Sequence, residues 1–153
     1  IDLLDPQPGE FLLDLYSGVG LFARMLAPIL GSGGRVVLVE SDNRAGRLAK
    51  RNLRGFHAEG VVDRVDRWLA KRSLARVDLI VLDPPRAGAG KLVMTEALRL
   101  RPRRVLYVAC DPASLARDVA IARDLGYNLE RLEAVDAFPH TAHVETFALF
   151  SGH

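Results

Sequence analysis

Strand-like apolar runs and helix-like amphipathic stretches alternate along most of the chain, the pattern of a mostly parallel sheet covered by helices on both faces. The expected strands are Phe11–Tyr16, Arg35–Glu40, a weaker one at Ala58–Val62, Val77–Leu82 and Arg104–Ala109. Between them the 3.6-residue period predicts helices over Leu21–Leu30, Arg44–Leu53, Val65–Ala75, Leu92–Leu100 and Ala113–Leu125. Pro28 works against the first of these, because its ring removes an interior hydrogen bond. After the last helix the alternation stops. Tyr127–Ala137 and Val144–Phe150 read as two strands joined through Phe138-Pro139-His140-Thr141, so an antiparallel hairpin is expected to end the sheet. With 153 residues, 49% of them hydrophobic, the chain can bury one core, and residues 1–153 are expected to be one α/β domain.

A single cysteine excludes an internal disulfide framework and suits a reducing cytoplasm, the expected location. No apolar run approaches the ~18 residues needed to span a bilayer, and Ile1-Asp2-Leu3-Leu4 does not open a signal peptide, so no membrane partner is expected. The chain lacks an initiator Met, which suggests a piece of a longer protein whose other domains are missing here. Net charge is only +2, yet the isoelectric point is about 9.0. Two basic clusters, Arg44-Arg47-Lys50-Arg51-Arg54 and Arg99-Arg101-Arg103-Arg104, read either as solvated helix faces or as room for an anionic partner.

Chemistry concentrates at the ends of the expected strands, where open α/β sheets bind ligands. The first strand runs into Asp14-Leu-Tyr-Ser-Gly18-Val-Gly20-Leu21-Phe-Ala, a glycine turn that allows a nucleotide to approach the backbone. Glu40, 20 residues beyond Gly20, ends the second strand, where its carboxylate can accept both ribose hydroxyls. Nicotinamide and S-adenosylmethionine enzymes share these features. Asp14 favours the latter, because a carboxylate there can help hold an ammonium group. Asp83 is fixed at the fourth strand's tip by Pro84-Pro85, with capping of the next turn as the plainer reading. Enzymes that methylate exocyclic amines often carry an aromatic residue after the two prolines; Arg86 stands there instead.

The apolar run Val105–Ala109 delivers the lone thiol, Cys110, to its end, just ahead of Asp111-Pro112. A free cysteine often only fills a core, so position alone leaves its role open. His140 and His143 suggest a metal pair, but no third ligand lies at metal-site spacing and no metal is expected. Glu145 enters an apolar strand either on an edge face or in a site.

Taken together, Asp14-Leu-Tyr-Ser-Gly-Val-Gly, Asp83-Pro-Pro-Arg-Ala-Gly, Cys110-Asp-Pro-Ala-Ser-Leu-Ala-Arg-Asp118 and Phe138-Pro-His-Thr-Ala-His-Val-Glu145 resemble the RNA uracil-C5 methyltransferase family in order and spacing. The tract Phe138-Pro-His-Thr is most similar to the 23S ribosomal RNA branch, with the transfer-RNA branch as the alternative. The resemblance implies a Rossmann-like S-adenosylmethionine-dependent fold, Cys110 as nucleophile and Glu145 as general base. It also implies contacts to S-adenosylmethionine from Tyr16, Glu40 and Asp83, beside Asp14 and the turn of Gly18 and Gly20. Where many members carry Asn, this chain has Leu21, leaving only backbone contact there. Gly60 stands where a polar side chain is usual. The partner implied is RNA, in which the target uridine must be unpaired or flipped out. A nicotinamide oxidoreductase leaves Cys110 and Glu145 unexplained; a non-catalytic cofactor-binding scaffold is the other rival.

Overall fold

In a computed structural model, which describes residues 2–72, 74, 76–135 and 145–152, alternate residues of each central strand point to opposite faces and both faces are covered. On β1 (Phe11–Leu15), Leu13 and Leu15 join one core and Leu12 the other; on β2 (Arg35–Glu40), Val37 and Val39 oppose Val36 and Leu38. Burial on both sides is why these strands read as continuous apolar runs. The first face is packed by α3 (Val65–Lys71), α4 (Gly90–Arg99) and α5 (Pro112–Asp124), and the second by α1 (Leu21–Leu30) and α2 (Asn43–Asn52). Each fully buried leucine there, such as Leu12 or Leu30, contributes roughly 1.5 to 3 kcal/mol.

The remaining strands are β3 (Ala58–Val62), β4 (Leu79–Leu82), β5 (Arg104–Ala109), β6 (Tyr127–Val135) and β7 (Glu145–Gly152). Among the described residues they form a seven-stranded sheet in the order β3-β2-β1-β4-β5-β7-β6. Chain order reverses between β1 and β4, which opens a crevice at their carboxyl ends. All neighbours pair in parallel except β7, which runs antiparallel to β5 on one side and to β6 on the other. The C-terminal hairpin therefore forms, with its second strand inserted beside β5.

Several boundaries differ from the expected ones for local reasons. β1 stops at Leu15 because Tyr16 turns to a left-handed φ of 61°. α2 and α5 start one residue early, on N-caps Asp42 and Asp111 that accept the amides of Ala45 and Ser114 at 2.7 Å each. α3 ends at Lys71, β4 begins at Leu79, α4 begins at Gly90, and β7 continues to Gly152. Pro28 does not break α1, whose last turn is anchored by buried Leu26, Ala27 and Leu30. The Phe138–Val144 tract, with its two histidines, lies outside the described residues.

Candidate active site

The β1–α1 turn is shaped by three alternate left-handed residues, Tyr16 (φ 61°), Gly18 (φ 54°) and Gly20 (φ 81°). Gly20 is required twice over: its φ suits glycine, and a Cβ there would come within 3.1 Å of Leu38 and 3.2 Å of Leu53. At Gly18 an added Cβ would meet nothing within 4 Å, so open space faces the backbone. Asp14 is fully buried and accepts the amide of Ala23 at 3.1 Å, standing in for the side-chain cap that Gly20 cannot give α1. Burial pushes its carboxyl up to about 7 against the pull of the Ala23 amide, with Asp83 and Glu40 adding like charge. Its Oδ1 and the Ser17 hydroxyl are buried with no hydrogen-bond partner among the described residues.

Glu40 is more heavily engaged than its expected ribose role requires. Oε2 accepts the Gly18 amide at 2.9 Å, and Oε1 accepts the amide of Asp42 at 2.7 Å and the Ser41 hydroxyl at 3.2 Å. The carboxylate thus clamps the glycine turn to the start of α2 while keeping lone pairs for a ligand. Beside it lies a recess of about 300 Å³ lined by Tyr16, Ser41, Arg64, Val65, Asp66 and Pro85 among others. Burial, then the charges of Asp66 and Asp118, push the Tyr16 phenol up to about 12, so it stays a neutral donor. An Arg64–Asp66 ion pair at 2.7 Å forms the outer wall. An unpaired buried carboxylate oxygen, an open glycine backbone and an adjoining recess fit the ammonium, chain and nucleoside of S-adenosylmethionine.

A second set of candidate residues lies at the ends of β4, β5 and β7. Asp83 follows β4 and donates its amide to Leu15 at 3.2 Å. Its side chain reaches solvent but is crowded by protein, and this desolvation, with the charge of Glu145 second, pushes it up to about 6. Cys110 follows β5 and is half-buried. Ala109 pairs with Thr146, the final pair of β5 with β7, so Cys110 is the next residue beyond it on one side and Glu145, the first residue of β7, the neighbour on the other. The sheet thereby brings together three residues the sequence singled out, while Asp14, Tyr16, Gly18, Gly20, Leu21 and Glu40 gather on the β1–β2 side. Among the described residues no group of three or more His, Cys, Asp or Glu could hold a metal.

One set of residues was not anticipated. Asp118 is fully buried, and its Oδ2 accepts the Tyr107 hydroxyl at 2.7 Å and the amides of Ala89 and Gly90 at 2.8 and 3.2 Å. Arg117 pairs with Asp118 at 3.3 Å and donates to the Ala87 carbonyl at 2.6 Å. Gly88 (φ 79°) passes so close that a Cβ would lie 2.7 Å from Asp118. These contacts fix the segment after Asp83-Pro84-Pro85. The signal was present: Leu115, Asp118 and Ala122 share the i, i+3, i+7 stripe that α5 buries, and a carboxylate on such a stripe needs partners.

Residues 68–152 match the family model described as tRNA (uracil-5-)-methyltransferase. The chain is 48% identical over 145 residues to an uncharacterized RNA methyltransferase of Streptomyces avermitilis, covering 94% of this chain and 34% of that protein. It is 41% identical over 159 residues to the 23S rRNA (uracil(1939)-C(5))-methyltransferase RlmD of Aromatoleum aromaticum, covering 98% and 36%. Among solved structures, the Pyrococcus abyssi tRNA (uracil-54, C5)-methyltransferase in complex with S-adenosyl-L-homocysteine superposes with a TM-score of 0.80 at 34% identity, over 97% of this chain and 36% of that one. The fold is that of S-adenosylmethionine-dependent methyltransferases. The chain spans about a third of the length of these relatives. No described helix is long and apolar enough to cross a membrane.

Proposed function

Because the chain belongs to the tRNA (uracil-5-)-methyltransferase family, we propose that residues 1–153 are the catalytic domain of an enzyme that methylates C5 of a uridine in 23S ribosomal RNA. The observation that carries this reading is the register of β5 against β7, whose final pair, Ala109 with Thr146, is flanked by the chain's single thiol, Cys110, and by Glu145. The ribosomal substrate is supported by the 41% identical relative whose name specifies it; transfer RNA, the substrate named for the 34% identical solved enzyme, is the second reading.

C5 of uracil is too weak a nucleophile to be methylated unaided. In this reading the Cys110 thiolate adds to C6, forming a C–S bond and pushing electron density onto C5 and the neighbouring carbonyl as an enolate. S-adenosylmethionine supplies the methyl group as an electrophilic carbon on a positively charged sulfur. Asp14, Tyr16, Glu40 and Asp83, with the backbone of Gly18, Gly20 and Leu21, would hold it, and fixing its orientation would supply much of the rate. Glu145 then takes the C5 proton, and the electron pair of that C–H bond re-forms the C5–C6 double bond as the thiolate leaves. Arg117 and Asp118 hold in place the segment that follows Asp83.

The test uses full-length protein with methyl-labelled S-adenosylmethionine and, separately, 23S ribosomal RNA and transfer RNA lacking the modification. Label recovered as 5-methyluridine from the ribosomal RNA is the expected result. Label from transfer RNA alone would move the substrate, and label from neither would overturn the activity.

A further inference from the structure

We infer that the outer face of α2, continued onto α1, holds the phosphate backbone of the RNA that flanks the target uridine, an inference that rests on the RNA-modifying function proposed above. Residues 19–31 and 43–56 contain six of the chain's 21 basic residues and none of its 19 acidic ones, leaving 15 bases and 19 acids elsewhere. A domain with a net charge of +2 is thus polarised: this surface carries +6 and the remainder −4. The two helices adjoin, since Asn52 donates to the Val19 carbonyl at 2.9 Å and Arg24 lies 5.0 Å over the Phe56 ring.

The charges are presented rather than spent. Arg44, Arg47 and Arg51 recur at i, i+3 and i+7 on one exposed stripe of α2, with Lys50 and Arg54 beside it. None of these five is in an ion pair with a described residue. The neighbouring acids are occupied: Asp42 caps α2, and Glu59 pairs with Arg35 at 3.2 Å. The second basic cluster contrasts with this. Arg99 pairs with Glu96, Arg103 with Glu10, and Arg104 donates to the Leu3 carbonyl, so those side chains serve the fold. Four cations on a helix about 15 Å long, with Arg54 two residues past its end, repel one another and suit a polyanion rather than a single phosphate.

The placement suits a strand entering the proposed site. α2 begins three residues after Glu40, at the end of the sheet where Cys110 lies. β2 and β5 are separated by β1 and β4, three strand spacings or roughly 14 Å. Exposed Met25 and Leu48 among the cations offer apolar ground to sugars and bases.

The experiment compares full-length wild type with the triple variant Arg44→Gln/Arg47→Gln/Arg51→Gln, and with the same three positions as Lys. RNA affinity is read across a salt series, with KM, kcat and S-adenosylmethionine affinity measured alongside. The Gln variant should bind RNA at least tenfold more weakly. Its log-affinity against log-salt slope should be shallower by about 2, three phosphates at about 0.7 each, with kcat and cofactor affinity within twofold. The Lys variant should restore the slope. An unchanged RNA affinity and slope in a normally folded Gln variant would overturn the surface. If wild type binds RNA through this face but methylates none, the surface stands and the proposed activity falls.

Discussion

Tyr107 on β5 and Asp118 on α5 meet at 2.7 Å inside the protein, and the same carboxylate oxygen holds the amides of Ala89 and Gly90. One buried side chain thus joins a strand, a helix and the segment that follows Asp83. Asp118→Ala leaves the Tyr107 hydroxyl, two amides and the Arg117 charge without their acceptor. It should cost roughly 3 kcal/mol of stability. Denaturant unfolding reads this directly, and a loss under about 1 kcal/mol would show that water replaces the carboxylate.

Glu145→Gln should separate the two chemical roles proposed for the site. If the thiolate adds before the C5 proton leaves, the variant should methylate its RNA and stall as a covalent protein–RNA adduct through Cys110. A denaturing gel after incubation of the full-length variant with labelled S-adenosylmethionine should show the joined band, absent when Cys110→Ala is added. Release of 5-methyluridine at a near-normal rate would remove Glu145 from the role of base.

Asp14 should make stability depend on pH. Unfolded, it titrates near 3.8; folded, near 7, chiefly through burial. Between those values the folded chain holds a proton that the unfolded chain has released, so stability falls as pH rises from about 4 to about 7 and levels beyond. The span is on the order of 4 kcal/mol. Unfolding of wild type and Asp14→Asn at pH 4.5 and pH 7.5 checks it: the wild type should lose more stability than the variant over that interval, and parallel behaviour refutes the assignment.

Asp83 provides a direct probe of the Glu145 carboxylate. Burial is the larger reason Asp83 sits near 6, and the Glu145 charge is the second. Glu145→Gln removes that like charge, so the Asp83 carboxyl should titrate at lower pH in the variant. Carbon-13 NMR of the labelled side chain follows it. An unmoved titration would mean that the two carboxylates do not face each other in solution.

Glu40→Ala should weaken S-adenosylmethionine binding by roughly 1.5 to 3 kcal/mol, through loss of the ribose acceptor and release of the Gly18 amide from its clamp. Calorimetry on the full-length protein measures it, and an unchanged dissociation constant would sink the role.

The alternation of strand and helix was legible because burial on both sheet faces writes continuous apolar runs, and even the weak Ala58–Val62 strand falls where its residues suggested. Strand ends were harder to place: nothing in Tyr16 itself signals the left-handed φ that stops β1. The reach of β7 to the flank of β5 was not legible either, because alternating residues tell which face a side chain takes and not which strand lies beside it. Cys110, Asp83 and Glu145 were read as candidate site residues from their places at strand ends and the family resemblance, and the sheet sets them on neighbouring strands. Glu40 was read as a ligand carboxylate, but its clamp on Gly18 depends on a fold that sets residues 22 apart side by side. Asp118 was quoted in the thiol motif, but its buried anchoring role was not legible because its partners, Tyr107 and the Ala89–Gly90 amides, come from other parts of the chain.

The insertion of β7 between β5 and β6 also dictates an order of assembly. Everything from β1 to β6 precedes β7 in the chain, yet among the described residues β6 pairs with the sheet through β7 alone. A ribosome that has released residues up to 135 has delivered the thiol without Glu145, and β5 then presents an unpaired edge to solvent or to a chaperone. Docking of the last strand closes that edge and completes the Cys110–Glu145 pair in one event. In the reading proposed here, a nascent chain acquires its base only at the moment its sheet is sealed.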